Sequence, residues 1–300
     1  MKNFKDIIWV IALIVILVLI GTLCYGYYKK ATMEVKNPIA TMEVEGFGTI
    51  KMELYPDKAP NTVKNFITLS NRGFYDGLKF HRVVKDFMIQ GGDSNGDGTG
   101  APKLNNLKDD ASDEKYSIKG EFIANGFKND LKHEEGVLSM ARADYTSYSS
   151  TLKEESYNSA GSQFFIMTKN NTTLNGYYTG FGKVIEGMDI VHNIENIEVK
   201  AAESEEGNAE SNASKEVSTP VNPPIIKSIR VETFGYDFGE PETLEPFDYT
   251  SWLYSQYGLD PNSFSTTTDS SEGTTGEGTA EGSTPESTQT EEGTPETPAE

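Results

Sequence analysis

The chain has 300 residues, with 26 lysines and arginines against 46 aspartates and glutamates and a formal net charge of −20. That length allows one or two domains. So acidic a balance argues against nucleic acid as a partner, because phosphate binding needs a basic face. The lone cysteine, Cys24, rules out an intrachain disulfide.

Residues 7–28 are almost wholly apolar, with Trp9 at one end and Tyr25, Tyr27 and Tyr28 at the other. At ~1.5 Å per residue a helix of this length reaches about 33 Å, enough for a hydrocarbon core of ~30 Å. The aromatic ends suit the two membrane interfaces. A cleaved signal peptide would have a shorter apolar core and a small-residue cleavage site, so residues 1–30 are expected to be an uncleaved transmembrane anchor. Lys2 and Lys5 before it and Lys29 and Lys30 after it nearly balance the positive-inside rule. The acidic, Ser/Thr/Pro-rich end of the chain favours a single-pass cell-membrane protein with its domain outside. Leu23 is a poor fit to the small residue that a lipoprotein signal places before its cysteine, so Cys24 reads as an inert thiol in the membrane.

After a linker over 31–37, residues 41–54 alternate in the period-two sense around Gly46 and Gly48, which reads as a β-hairpin. Pro60 opens a helix whose Val63, Phe66 and Ile67 share one stripe, and Gly73 closes it. Short β-rich runs follow at 83–89, 136–141, 163–168 and 180–185, then a brief helical stripe at 188–194 and a last strand at 225–231. Many short strands with two helices suggest a closed β-barrel. Polar stretches near 102–117, 144–157 and 201–224 read as surface insertions, which loops tolerate because closure entropy grows slowly with length. Residues 233–260 form an aromatic-rich extension expected to pack on the barrel. Residues 261–300 carry Glu272, Glu277, Glu281 and further carboxylates without a lysine or arginine; this tail is expected to be disordered.

Two segments carry the chemistry. The first is Phe80-His81-Arg82-Val83-Val84-Lys85-Asp86-Phe87-Met88-Ile89-Gln90-Gly91-Gly92-Asp93, and the second Gly161-Ser162-Gln163-Phe164-Phe165-Ile166. They offer one arginine, two glutamines and several large apolar side chains. That set is ill suited to a nucleophile or a metal and well suited to gripping an apolar ring beside a peptide carbonyl.

These segments closely resemble the two signatures of the cyclophilins, the barrel-shaped peptidyl-prolyl cis-trans isomerases, and the similarity extends with interruptions from about Asn37 to Val231. The resemblance implies an isomerase domain over 38–232: a mainly β fold in which eight antiparallel strands close a barrel capped by two helices. It implies catalysis by Arg82, an apolar proline socket of Phe87, Met88, Phe165, Leu174 and Tyr178, and Gln90 on the substrate carbonyl. Gln163 would orient the surroundings of the arginine, and the strand edge Ala141, Arg142 and Ala143 would bind peptide backbone. No metal or other cofactor is implied, and the partners are proline-containing polypeptides, exported or unfolded. The competing expectation is a non-catalytic peptide-binding or chaperone module on the same barrel. Three positions depart from the family pattern: Arg142 stands where asparagine is frequent, Tyr178 where cyclosporin-binding members have histidine, and Thr173 where they have tryptophan. Weak cyclosporin binding is therefore expected.

Other motifs carry less. Asp93-Ser94-Asn95-Gly96-Asp97-Gly98 opens like an EF-hand loop, but Leu104 occupies the position of its bidentate carboxylate. His81, His133 and His192 lack metal-ligand spacing, and His81 is expected to hydrogen-bond within the barrel.

Overall fold

The computed structural model describes residues 2–32, 36–201 and 216–259. The expected disordered tail over 261–300 and the centre of the 201–224 insertion lie outside them. α1 (Lys2–Thr32) opens the chain, and its apolar stretch Ile7–Tyr28 is not buried inside the structure.

Eight strands build the main sheet: β1 (Ile39–Val44), β2 (Gly48–Leu54), β3 (Arg82–Val84), β4 (Met88–Gly91), β5 (Val137–Met140), β6 (Phe164–Met167), β7 (Gly180–Glu186) and, after a two-stranded insertion, β10 (Ile226–Glu232). Their order is β10-β1-β2-β7-β5-β6-β4-β3, with every neighbouring pair antiparallel. The insertion hairpin pairs β8 (Val199–Ala201) with β9 (Val217–Pro220).

The expectation of a closed barrel needs correction. Among the described residues β3 and β10 share no ladder, so the sheet is a curled half-barrel. The chain just before each of them approaches instead. Phe80 N donates to Pro224 O at 2.9 Å, Ile226 N to Leu78 O at 2.7 Å, and Gly77 N to Ile226 O at 2.8 Å. The three-residue β3 is too short to carry a ladder along the seven residues of β10.

The run 83–89 also differs from its reading as one strand. Lys85, Asp86 and Phe87 form a turn that splits it into β3 and β4. Asp86 takes the left-handed conformation, φ 58°, which aspartate tolerates better than bulky residues. Its N–H donates to the Glu195 carboxylate at 2.7 Å. The turn reverses the chain and sets Arg82 opposite Gln90.

α2 (Pro60–Asn71) starts with proline at a position where no amide is needed, and Ala59 supplies no side-chain cap. Glu121, which is buried, caps it from elsewhere by accepting from Asn61 N, Thr62 N and the Thr62 hydroxyl at 2.9, 2.8 and 2.7 Å. A carboxylate there satisfies orphan amides and faces the positive end of the helix dipole. α2 packs on β10, and α4 (Met188–Glu195) on β2, β3 and β4.

The core is aromatic: Phe66, Tyr75 and Phe80 all meet Phe164 edge-on or nearly so, at ring separations of 5.7, 5.6 and 6.3 Å. Gly92 (φ +83°) ties the two signature segments together. A Cβ there would lie 2.5 Å from Ser162 O, and the Ser162 hydroxyl donates to Gly92 O at 2.8 Å.

The 144–157 insertion, read as a polar loop, contains α3 (Lys153–Tyr157) and two short 3-10 turns. Residues 233–247 lie against the sheet domain: Leu244 and Ser117 exchange backbone hydrogen bonds at 2.8 and 2.9 Å, and Asn61 bonds both backbone groups of Glu242. The described residues 248–259 belong to a second unit. Its described part holds α5 (Tyr249–Gln256), N-capped by Asp248.

Candidate active site

Strand register assembles the site. Arg82 on β3 faces Gln90 on β4, Gln90 faces Phe165 on β6, and Phe165 faces Ser139 on β5. Residues in such a row point to one side of the sheet. Met88 is two residues from Gln90 and shares that side. Phe164, one step along β6, points the other way into the core.

On this side Met88, Val137, Phe165 and Met167 form a buried cluster separate from the main core, with Phe87, Leu174 and Tyr178 half-buried against it. They surround an open socket of about 180 Å³ lined by Arg82, Phe87, Met88, Gln90, Ala141, Arg142, Phe165, Leu174 and Tyr178. The other two predicted residues, Ala143 and Gln163, line a larger neighbouring cleft of about 320 Å³, which shares Gln90, Ala141 and Arg142 with the socket. Tyr145 and Phe247, which sequence reasoning did not place in the site, wall the far part of that cleft.

Arg82 stands at the socket rim. Its Nη1 donates to Gln90 Oε1 at 3.1 Å and lies 3.9 Å from Met88 Sδ. Gln90 Nε2 donates to Gln163 Oε1 at 3.0 Å, and Gln163 Nε2 to the carbonyls of Gly98 and Gly100 at 3.0 and 3.1 Å. A relay of side chains thus connects the guanidinium to the glycine loop. Glu216, from an insertion read only as polar, accepts from Arg82 Nε at 2.9 Å and Nη2 at 2.7 Å. The bonds from Arg82 hold the Glu216 carboxyl below its ordinary range.

Behind Phe165 lies His133, its ring 6.2 Å away and nearly parallel. Its Nε2 pairs with the Ser139 hydroxyl at 3.0 Å, and its backbone N–H donates to Asn175 Oδ1 at 2.8 Å. Burial lowers its pKa to about 4, so it is neutral at pH 7 and backs the socket as an uncharged ring. His81 departs from expectation: its Nδ1 is buried with no hydrogen-bond partner, and burial lowers its pKa.

Arg142 is not a solvated side chain. Its guanidinium stacks on Tyr178 at 4.5 Å and Tyr157 at 5.2 Å, and donates to Ser156 Oγ at 2.9 Å and Tyr177 O at 3.2 Å. It therefore ties the 144–157 insertion to the socket wall. Ala143 has both backbone groups engaged, its N–H with Ser159 Oγ at 2.9 Å and its carbonyl with Ser156 Oγ at 2.8 Å. Ala141 N–H donates to Gln163 O at 2.9 Å.

Thr173 is exposed beside Leu174 and donates its hydroxyl to Asn171 Oδ1 at 2.6 Å. The calcium-like run turns inward instead: buried Asp93 accepts from Asp97 N at 2.8 Å and Gly98 N at 2.7 Å. Among the described residues no group of His, Cys, Asp and Glu is placed to hold a metal ion.

The family model described as cyclophilin type peptidyl-prolyl cis-trans isomerase matches residues 39–220. Peptidyl-prolyl cis-trans isomerase B of Bacillus subtilis is 41% identical over 156 residues, 52% of this chain and 90% of its own. Peptidyl-prolyl cis-trans isomerase-like 1 of Rhizopus delemar is 42% identical over 145 residues, 48% and 72% of the two chains. A crystal structure of a cyclophilin type isomerase from Cryptosporidium parvum, 28% identical, matches with a TM-score of 0.49 over 65% of this chain and 98% of that one.

Proposed function

Because the chain belongs to the cyclophilin-type peptidyl-prolyl cis-trans isomerases, we propose that Arg82 drives rotation of Xaa-Pro bonds without any covalent step, the proline ring seated in the apolar socket. An Xaa-Pro bond turns over a barrier of ~18–20 kcal/mol because twisting destroys amide resonance. Its isomers exchange over tens of seconds or longer. A catalyst must bind the twisted amide better than either planar form. When the amide twists, the prolyl nitrogen becomes pyramidal and regains its lone pair. A charged donor fixed near it then gains strength only in the transition state. Arginine suits this, being permanently charged and planar.

The observation that carries the reading is the position of Nη1, which lies beside Met88 Sδ and Gln90, both lining the socket. An acceleration of ~10⁵ requires about 7 kcal/mol, within reach of a charged hydrogen bond in a site that also orients and desolvates its substrate. Gln90 would meet the substrate carbonyl. The backbone of 141–143 would add the peptide as a short strand, over a narrower span than three free residues offer, since Ala143 is engaged with its own chain.

The clients best suited to this arrangement are exported or unfolded polypeptides. α1 would anchor the enzyme in the cell membrane with the sheet domain outside. The catalytic test is Arg82→Ala in the full chain, where kcat/KM on an Xaa-Pro peptide should fall at least ~100-fold, about 2.7 kcal/mol. Near-normal turnover in the folded variant would sink the mechanism. For location, the protein should stay with membranes through high-salt and carbonate washes, and protease added to intact cells should remove the domain. Recovery of the full chain in the soluble fraction would contradict the anchor.

A further inference from the structure

The insertion that precedes β10 returns to the reacting centre. β9 runs beside β3, and Glu216, immediately before β9, takes both Nε and Nη2 of Arg82 through its two carboxylate oxygens. Two parallel bonds between a guanidinium and a carboxylate fix the plane of the arginine as well as its position. Gln90 fixes the remaining corner through Nη1.

The two edges of Arg82 are used differently. Nη1 lies against Met88 and Gln90, which line the proline socket, whereas Glu216 is not among the lining residues. The carboxylate thus grips the guanidinium from outside and leaves the socket-facing edge in place. With the two side chains 34% and 47% exposed, such a pair adds little to fold stability. Its consequence lies in geometry. An unpinned arginine spreads over many rotamers, and a misplacement of about 1 Å at a reacting centre can cost on the order of 10²-fold in rate.

We propose that Glu216 is a positioning residue for the isomerisation, holding Arg82 by its Nε–Nη2 edge so that Nη1 meets the twisting Xaa-Pro amide. The proposal rests on the reading of Arg82 as the donor. The pair joins the main sheet to the β8–β9 insertion, so the insertion serves catalysis rather than merely decorating the surface.

The test compares kcat and KM on an Xaa-Pro peptide for the detergent-solubilised full chain and its Glu216→Gln, Arg82→Ala and doubly substituted forms. Glu198→Gln, exposed just before β8 in the same hairpin, serves as a control. Glu216→Gln should lower kcat by about 5–10-fold with KM changed less than about twofold, Glu198→Gln should change neither, and Glu216→Gln should have no further effect once Arg82 is alanine. A turnover in Glu216→Gln equal to or above wild type would overturn the proposal, the higher value marking Glu216 as an inhibitor. A loss confined to KM, or one undiminished in the Arg82→Ala background, would overturn it as well. Full activity in Arg82→Ala would instead remove the reading beneath it. An inactive Arg82→Ala beside an unaffected Glu216→Gln would remove the role of Glu216 alone.

Discussion

Phe164 and Phe165 are adjacent on β6 and nearly equally buried, at 0% and 5% exposure, yet they belong to different parts of the molecule. Phe164 meets Phe66, Tyr75 and Phe80 in the main core. Phe165 sits in a separate small cluster, with Tyr178 edge-on at 5.9 Å and His133 stacked behind it. Burial therefore does not separate the rings of the main core from those that line the socket. What separates them is what lies beyond the ring: on one side close-packed aromatics, on the other a socket open to a ligand.

The largest effect should come from the core side. Phe164→Ala removes a ring from among aromatics that cannot collapse around the gap, and should cost about 3–5 kcal/mol of stability, read as a lowered denaturation midpoint. A loss below that of Phe165→Ala would mean that the core repacks readily and would blur the contrast.

His133 sharpens the comparison through pH. Its folded pKa, about 4 through burial, lies below the ordinary value near 6.5. Between those values the unfolded chain binds the extra proton and the folded chain does not. Stability should therefore be unaffected by this group above pH ~6.5 and fall as the pH drops towards 4, by up to roughly 3 kcal/mol. His133→Gln should lose that portion of the acid sensitivity. Equal slopes of stability against pH in the two proteins would contradict it.

Phe165→Ala should cost less stability than Phe164→Ala, roughly 2 kcal/mol, because water can enter the opened socket. It should nonetheless raise KM for an Xaa-Pro peptide several-fold. A variant with normal KM would move the proline ring elsewhere, the 320 Å³ cleft being the alternative seat.

The socket was legible because its residues come from a few short segments whose pattern resembles the cyclophilin signatures. Period-two alternation on its own would have placed Phe87 and Phe165 in the core. The turn at Asp86 was missed because Val83, Val84, Phe87, Met88 and Ile89 were joined into one run across the charged pair Lys85-Asp86, where the chain turns with a left-handed φ. Glu216 left no trace at all. An ion pair between residues 134 positions apart has no periodicity, and a carboxylate in a polar insertion resembles any solvated one. The cap from Glu121 onto α2 was invisible for the same reason, its partners lying 60 and 59 residues away.

The smallest effect on turnover concerns Thr173, the chain neighbour of the socket residue Leu174. Cyclosporin-sensitive members of the family place an indole at this position, which covers apolar drug surface and donates a hydrogen bond. Thr173 does neither, because its hydroxyl is committed to Asn171 Oδ1 and its side chain stands in solvent. The socket itself does not depend on it, being lined by Phe87, Met88, Phe165, Leu174 and Tyr178. Losing a large aromatic contact at a binding hot spot can cost about 2 kcal/mol or more, close to 30-fold in affinity at ~1.4 kcal/mol per tenfold. Wild type should therefore turn over short Xaa-Pro peptides while binding cyclosporin weakly. Thr173→Trp should tighten inhibition by about that factor and change peptide turnover less than about twofold, because Thr173 does not line the socket. Titrating both proteins with the drug during turnover decides it. Tight inhibition of the wild type, or no gain in the variant, would show that this turn does not stand at the mouth of the socket.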